Sequence, residues 1–175
     1  MKTADLVKFL DSMDKNGVWA FRLSSLRLRF PQAERGLIKS LSSHQKAGLI
    51  LKCDKGLYVN PRARSLPADI LPALVPWLRP LKLNYLSLES VLSEESLISQ
   101  VPARLTVMST GKSRRCDTPF GTIEFVHTKR ALQTLSKELV ATAVPGLYRA
   151  PAAIALRDLQ RSGRNLGLVL SEPEQ

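Results

Sequence analysis

One segment, residues 33–60, restricts the fold of this chain more than any other. Its first half carries apolar residues at spacings of three and four, a pattern that predicts one buried face of a helix. These apolar residues are Ala33, Leu37, Ile38 and Leu41. Gly48 follows and supplies the left-handed conformation at which helices commonly stop. Two apolar runs, residues 49–53 and 57–60, then flank a turn triplet that ends in Gly56, so we expect a tight β-hairpin with a positive φ at this glycine.

Two shorter helical patterns precede this segment. Residues 5–15 repeat apolar side chains at helical spacing and stop at Asn16 and Gly17, and residues 24–30 stop before Pro31. Three helices followed by a hairpin is the element order of a winged helix-turn-helix domain. In a helix-turn-helix the recognition helix enters the major groove of DNA, and the hairpin of the winged form lies beside it.

The face of the third predicted helix that lies opposite its apolar residues is basic. It carries Arg35, Lys39, Ser42, Ser43 and Lys46. Cations and short hydroxyl side chains of this kind contact phosphate oxygens and base edges, so we expect these residues to bind DNA. Lys52 and Lys55 are the cations of the predicted hairpin, or wing, and are expected on the flanking backbone. A protein-docking module whose charged face is merely solvated remains an alternative.

The charge of the chain is concentrated in the segment that carries this motif. Residues 1–66 hold 13 Lys and Arg against 5 Asp and Glu, a net charge of +8, whereas residues 67–175 hold 13 against 10, a net charge of +3. A basic balance favours polyanions, which are nucleic acid or an anionic membrane surface. No run approaches the roughly 18 apolar residues of a membrane-spanning helix, and the basic face is interleaved with serines rather than backed by Trp or Phe, as a surface-binding helix would be. Nucleic acid is therefore the preferred partner, and no membrane contact is expected.

The rest of the chain predicts a second domain. Prolines at 61, 67 and 72 indicate a boundary, so residues 1–66 are assigned to the winged helix-turn-helix and residues 67–175 to a small mixed α/β domain, which together give an α+β fold. Hydrophobic residues make up 44% of the 175-residue chain, which excludes a disordered tail. The elements predicted after the boundary are helical spacing over 71–78, a helix at 85–92, strands at 105–109 and 122–127, and a closing helix at 152–162.

The two cysteines, Cys53 and Cys116, are far apart in the sequence and have no further ligand at metal-binding spacing. This pattern is typical of reduced, buried thiols, so no disulfide, metal site or cofactor is expected. The charged N-terminus does not have the apolar core of a secretory signal, so we expect a cytoplasmic protein.

Three patterns resemble catalytic motifs, and each lacks part of its residue set. Residues 110–113 read Thr-Gly-Lys-Ser, like the end of a phosphate-binding loop, but the first glycine of that motif is absent. Asp117 and Glu124 are spaced as in a metal-dependent nuclease, but the lysine expected two residues later is a valine, so Glu124 is expected to be an exposed strand residue. His44 and His127 have no nucleophile nearby. The sequence therefore predicts no enzyme.

A second basic cluster lies between the two strands predicted in the C-terminal half. Lys112, Arg114 and Arg115 fall within residues 110–117, which we interpret as a loop at a hairpin tip. Such a tip is suited to a polyanion, and a solvated turn without a partner is the alternative.

Four segments of the C-terminal half resemble the AbiEi-type antitoxins of type IV toxin–antitoxin systems. They are Tyr85-Leu-Ser-Leu-Glu-Ser-Val-Leu-Ser93, the run from Ile98 to Arg115 that includes Val-Pro-Ala-Arg-Leu-Thr-Val-Met-Ser, Phe120-Gly-Thr-Ile-Glu-Phe-Val-His127, and Ala150-Pro-Ala-Ala-Ile-Ala-Leu-Arg-Asp-Leu159. The resemblance extends from the predicted winged helix to about Gly163.

The resemblance implies a bacterial regulator that binds the double-stranded operator DNA of its own operon as a repressor. It also implies a C-terminal domain that neutralises a nucleotidyltransferase-like toxin, without direct contact between the two proteins being required. Because the chain ends soon after the predicted closing helix, a stand-alone regulator with a shortened effector domain is the nearest alternative. A protein-interaction module is a further one.

Overall fold

A computed structural model describes residues 1–31 and 34–170, in which the chain forms seven α-helices and two β-sheets. The chain divides into two compact units, Met1–Ile70 and Leu71–Gln175, which we call the N-terminal and C-terminal units. The division falls inside the proline-containing segment in which the sequence predicts a boundary. The mixed α and β content agrees with the predicted α+β class.

The N-terminal unit contains three helices and a three-stranded antiparallel sheet. Its strand order is β1-β3-β2. The elements are α1 (Thr3–Lys15), β1 (Ala20–Arg22), α2 (Leu23–Arg29), α3 (Glu34–Lys46), β2 (Leu51–Asp54) and β3 (Leu57–Val59).

One apolar core joins these helices to the sheet. Its buried members are Leu6, Leu10, Phe21, Leu26, Leu37, Leu41, Ile50 and Tyr58. The helix α3 contributes Leu37 and Leu41, and His44 is buried one turn later, with its Nε2 3.3 Å from the carbonyl oxygen of Met1. Among the residues of α3 whose burial the structure describes, the buried side is therefore a narrow stripe of three.

The predicted helices and hairpin of the N-terminal unit are confirmed, with bounds that shift by one or two residues. Gly48 and Gly56 have φ values of +69° and +71°, so both glycines adopt the left-handed conformation expected of them. Strand β1 has no counterpart among the predicted elements. The prediction that Ile38 lies on the buried face is wrong, because its side chain is 47% exposed. Ala33, the first residue of the predicted face, lies outside the described residues.

The C-terminal unit is built on a six-stranded mixed sheet with strand order β6-β7-β5-β4-β9-β8. Strands β5 and β7 are parallel, as are β4 and β9, while β4 with β5 and β6 with β7 are antiparallel. The elements are α4 (Ile70–Leu78), β4 (Asn84–Leu86), α5 (Glu89–Glu94), β5 (Leu105–Ser109), β6 (Arg114–Thr118), β7 (Gly121–His127), α6 (Leu132–Glu138), β8 (Val140–Ala141), β9 (Leu147–Arg149) and α7 (Ala152–Ser162), followed by a short 3₁₀ helix at Leu166–Leu168.

Two of the secondary-structure assignments predicted for the C-terminal unit are wrong. The helix expected over residues 85–92 begins only at Glu89, because Tyr85 lies in β4 and is fully buried between β5 and β9. The loop expected over residues 110–117 ends at Ser113, because Arg114 begins the edge strand β6, which pairs along its length with β7. The helical spacing over 71–78, the strands at 105–109 and 122–127 and the closing helix are confirmed.

Within the described residues, no helix combines the length and the apolar character that a membrane span requires.

Candidate functional site

The exposed side of α3 forms a basic surface groove of the N-terminal unit. Because Leu37, Leu41 and His44 turn toward the core, the residues between them face solvent, except for the half-buried Ser40. The structure brings together all five site residues predicted on this helix, and Ile38 joins them. The lining residues are Arg35, Ile38, Lys39, Ser42, Ser43 and Lys46.

The cations of this groove are not neutralised by neighbouring carboxylates that the structure describes. Arg35, Lys39 and Lys46 are exposed and form no ion pair with any side chain that the structure describes. Several arginines of the C-terminal unit differ in this respect, since they are engaged by carboxylates of their own unit. The engaged arginines include Arg104, Arg130, Arg149, Arg157 and Arg164. The positive potential of α3 is therefore directed at solvent, where it can attract an anion.

Lys52 and Lys55, the predicted wing cations, lie on the β2–β3 hairpin. Both side chains are exposed, and neither lines the α3 groove. Lys52 stands opposite Tyr58 in the antiparallel pair, and Lys55 lies in the two-residue turn between the strands. The hairpin thus presents two cations of its own rather than extending the groove.

The structure does not bring Lys112, Arg114 and Arg115 together at one tip. Lys112 lies in the β5–β6 connection, and its carbonyl oxygen accepts a hydrogen bond from the Arg79 guanidinium. Arg114 and Arg115 are consecutive in β6, so their side chains leave opposite faces of the sheet. Arg115 Nε donates to Asp117 Oδ1 at 3.0 Å. Charges on an edge strand such as β6 also hinder pairing with a further strand.

In the C-terminal unit, the residues of the patterns that resemble catalytic motifs form hydrogen bonds or ion pairs with other residues of that unit. Asp117 is exposed, and hydrogen bonds from Thr122 and Arg115 lower its pKa. The expectation that Glu124 is exposed is wrong, because its carboxylate forms ion pairs with Arg104 and Arg164 and its side chain is only 23% exposed. His127 Nδ1 lies 2.9 Å from the Gly111 carbonyl oxygen. Among the described residues, no group of three or more His, Cys, Asp or Glu side chains could hold a metal ion.

Both cysteines are free and buried. Desolvation, with a smaller contribution from the charge of Asp54, raises the pKa of Cys53 to about 12. Cys116 Sγ accepts a hydrogen bond from Arg114 Nε at 2.9 Å. A thiol with the pKa of Cys53 is protonated at neutral pH, so it acts as an apolar core residue rather than as a nucleophile or a metal ligand.

Ile38 is the residue of this groove that sequence reasoning missed. Successive helical residues are about 100° apart around the axis, so Leu37 and Ile38 cannot both point to the centre of one narrow face. The signal that identifies the true face is the series Leu37, Leu41 and His44, in which the polar histidine completes the buried stripe.

Comparison of the chain with protein-family models, with curated proteins and with solved structures yields no match.

Proposed function

We propose that residues 1–66 are a winged helix-turn-helix that binds operator DNA through α3, and that the chain is an autorepressor and the antitoxin of a type IV toxin–antitoxin system. The observation that carries the DNA-binding half is the α3 groove, in which three cations without described ion-pair partners lie beside two serines and an exposed isoleucine.

The mixture of side chains in this groove suits the major groove of DNA. Arg35 and Lys39 can pair with phosphates or with the acceptor edge of guanine, and serine hydroxyls reach phosphates and bases alike. Ile38 offers an apolar surface of the kind that contacts the methyl group of thymine. Lys52 and Lys55 of the hairpin are assigned to the flanking backbone, where they add affinity but no base specificity.

The antitoxin half is supported by the resemblance of the C-terminal segments to AbiEi-type antitoxins. The resembling segments supply β4, α5, β5, β7 and α7, which make up much of the C-terminal unit. We assign this unit to neutralising a nucleotidyltransferase-like toxin, with no catalytic activity of its own. The alternative functions are a stand-alone transcriptional regulator and a protein-interaction module.

Replacing Arg35 and Lys39 together with alanine is expected to weaken binding to the DNA upstream of the gene. Each side chain that makes a bidentate base contact contributes about 1–3 kcal/mol, and each cation removed from a phosphate lowers the magnitude of the log–log salt slope by about 0.9. Fluorescence anisotropy with a labelled duplex across a range of salt concentrations measures both quantities.

The matched control replaces two exposed cations of α1, Lys8 and Lys15, with alanine, because this variant loses the same charge elsewhere in the N-terminal unit. Wild-type affinity and slope in the Arg35 and Lys39 variant would remove α3 from the interface. Equal losses in both variants would indicate a general charge effect rather than a DNA-reading helix.

Co-expression tests the antitoxin half. We expect the full chain, expressed from an unrelated promoter, to restore growth to cells that produce the nucleotidyltransferase-like toxin encoded beside its gene. The Arg35→Ala, Lys39→Ala variant is expected to restore growth as well, because the proposed antitoxin surface lies in the other unit. Growth arrest in the presence of the wild-type chain would contradict the antitoxin assignment and favour the stand-alone regulator.

A further inference from the structure

A cavity of about 440 Å³ opens in the C-terminal unit, where β5 and β7 end. Its apolar lining comes from Met108 and Val126, the penultimate residues of these two strands. Its polar lining comes from the segment that follows β7 and from the end of α7. The ionisable side chains of the lining are His127, Lys129, Arg130, Asp158 and Arg161.

The position of the cavity in the fold favours a ligand. Strands β5 and β7 are parallel, so their carboxyl ends meet at one edge of the sheet, and this is the edge at which open α/β sheets bind ligands. The two ends are held together, since the Thr128 amide donates to the Ser109 carbonyl oxygen at 2.9 Å. The size also fits, because small-molecule sites measure about 300–1,000 Å³ and are mostly apolar with a few polar groups.

Arg130 is fixed in the wall of the cavity but is incompletely hydrogen-bonded. Its side chain is 11% exposed, and its Nη2 is held by Glu138. Its Nη1 is buried and has no hydrogen-bond acceptor among the described residues, the Asp158 carboxylate oxygen Oδ1 being 4.0 Å away. A buried guanidinium donor without an acceptor is unfavourable, and an anion that enters the cavity could supply that acceptor.

The remaining charges at the cavity favour an anion. The carboxylate of Asp158 is 2% exposed and accepts a hydrogen bond from the Ser87 hydroxyl at 2.8 Å, so it faces the interior of the unit. Lys129 and Arg161 are exposed and form no ion pair with a side chain that the structure describes. Arg130 is already paired with Glu138, so Lys129 and Arg161 are the two cations of the lining without a described ion-pair partner. Against the one buried carboxylate of Asp158, they leave the lining positive.

We propose that this cavity binds a mononucleotide. Lys129, Arg130 and Arg161 hold the phosphate, and the base lies against Met108 and Val126. The cavity lies wholly in the C-terminal unit and shares no residue with the α3 groove, so the proposal does not depend on DNA binding.

Isothermal titration of the full chain with AMP, and separately with inorganic phosphate, tests the proposal. We expect saturable binding of one AMP per chain and weaker binding of phosphate, which lacks the apolar contact. Lys129→Gln and Arg161→Gln are each expected to weaken AMP binding about tenfold, since each removes one charge-assisted hydrogen bond. Both side chains are exposed, so these variants retain the fold.

Two controls separate this site from other basic surfaces. Lys82→Gln removes an exposed cation of the same unit outside the cavity, and Arg35→Ala with Lys39→Ala removes the α3 cations. Both controls are expected to bind AMP as the wild type does. Absence of saturable AMP binding at millimolar concentration would overturn the proposal, as would unchanged binding in both cavity variants. Loss of AMP binding in the α3 variant would place the nucleotide on the DNA-binding face instead.

Discussion

Replacing Arg164 with alanine is expected to lower the free energy of unfolding of the C-terminal unit by about 3 kcal/mol, near the lower end of the range for a buried ion pair that loses one partner. Arg164 follows α7 and binds two carboxylates that come from other elements. Its Nε and Nη2 donate to Glu89 at 3.0 and 2.9 Å, and its Nη1 and Nη2 donate to Glu124 at 2.6 and 3.1 Å. One guanidinium thereby ties the chain after α7 to both α5 and β7.

The cost of this substitution arises mainly at Glu89. Glu89 is 5% exposed. Without Arg164, its carboxylate would keep the hydrogen bond from the Asn165 side-chain amide, at 2.6 Å, but would lose its cation. Glu124 is less affected, because Arg104 Nε lies 2.5 Å from its second oxygen. The variant therefore buries a carboxylate without a neutralising charge, and this is a main source of large losses in stability.

The loss is expected to depend on pH. Burial raises the pKa of Glu89, but hydrogen bonds from Arg164 and Asn165 outweigh it and hold the pKa below its usual value. A lowered pKa stabilises the folded state above the unfolded-state pKa, and this stabilisation is lost as the pH falls through the folded-state pKa. In the variant, burial acts with less opposition and raises the Glu89 pKa. The difference in the free energy of unfolding between the wild type and the Arg164→Ala variant should therefore narrow as the pH falls from neutral to about 4.

Urea unfolding measures this effect in the intact chain. The chain has two tryptophans, Trp19 in the N-terminal unit and Trp77 in the C-terminal unit, so a Trp19→Phe background makes fluorescence report the C-terminal unit. Adding Glu89→Gln to Arg164→Ala should restore part of the stability at neutral pH, because it removes the unpaired charge. An unchanged urea midpoint in Arg164→Ala would contradict the structural role of this cluster.

The sequence predicts the elements that are defined by local patterns. The helices α1, α3 and α7 have apolar residues at helical spacing and recognisable ends, and the β2–β3 hairpin has a glycine where its turn needs a positive φ. Strands β1 and β4, which escape prediction, are short and pair with strands that are distant in the sequence. Strand β4 has three residues, and its neighbours β5 and β9 lie 19 or more residues further along the chain, so the local sequence of Tyr85 also fits a helix.

The same distinction applies to the candidate sites. The cations of α3 could be predicted because one helix determines which residues share a face. The Arg164 cluster could not, since Arg164 is 75 residues from Glu89 and 40 from Glu124. The nucleotide cavity likewise combines the ends of two strands with the end of α7, and its residues carry no motif that is local in sequence.

Two adjacent substitutions on α3 should have different effects. We expect Leu37→Ala to reduce the stability of the N-terminal unit and Ile38→Ala to reduce its preference for operator DNA. Leu37 is fully buried in the core of the N-terminal unit, so its truncation removes apolar packing and leaves a cavity. We expect Leu37→Ala to lower the free energy of unfolding of this unit by about 3 kcal/mol, within the range of buried leucine truncations. A Trp77→Phe background leaves Trp19 to report this unit, while the C-terminal unit should unfold as in the wild type.

Ile38→Ala is the matched control, because it removes a similar apolar volume from the next residue of the same helix. Its side chain is 47% exposed, so we expect a change in stability within about 0.5 kcal/mol. Its effect should appear on DNA instead, as a weaker preference for the operator over unrelated sequence with an unchanged salt slope, because the removed group carries no charge. Replacing operator thymines with deoxyuridine, one at a time, should weaken wild-type binding at the contacted base and leave the variant unaffected. Equal loss of stability in the two variants would mean that Ile38 is a core residue, and the assignment of the reading face of α3 would then be wrong.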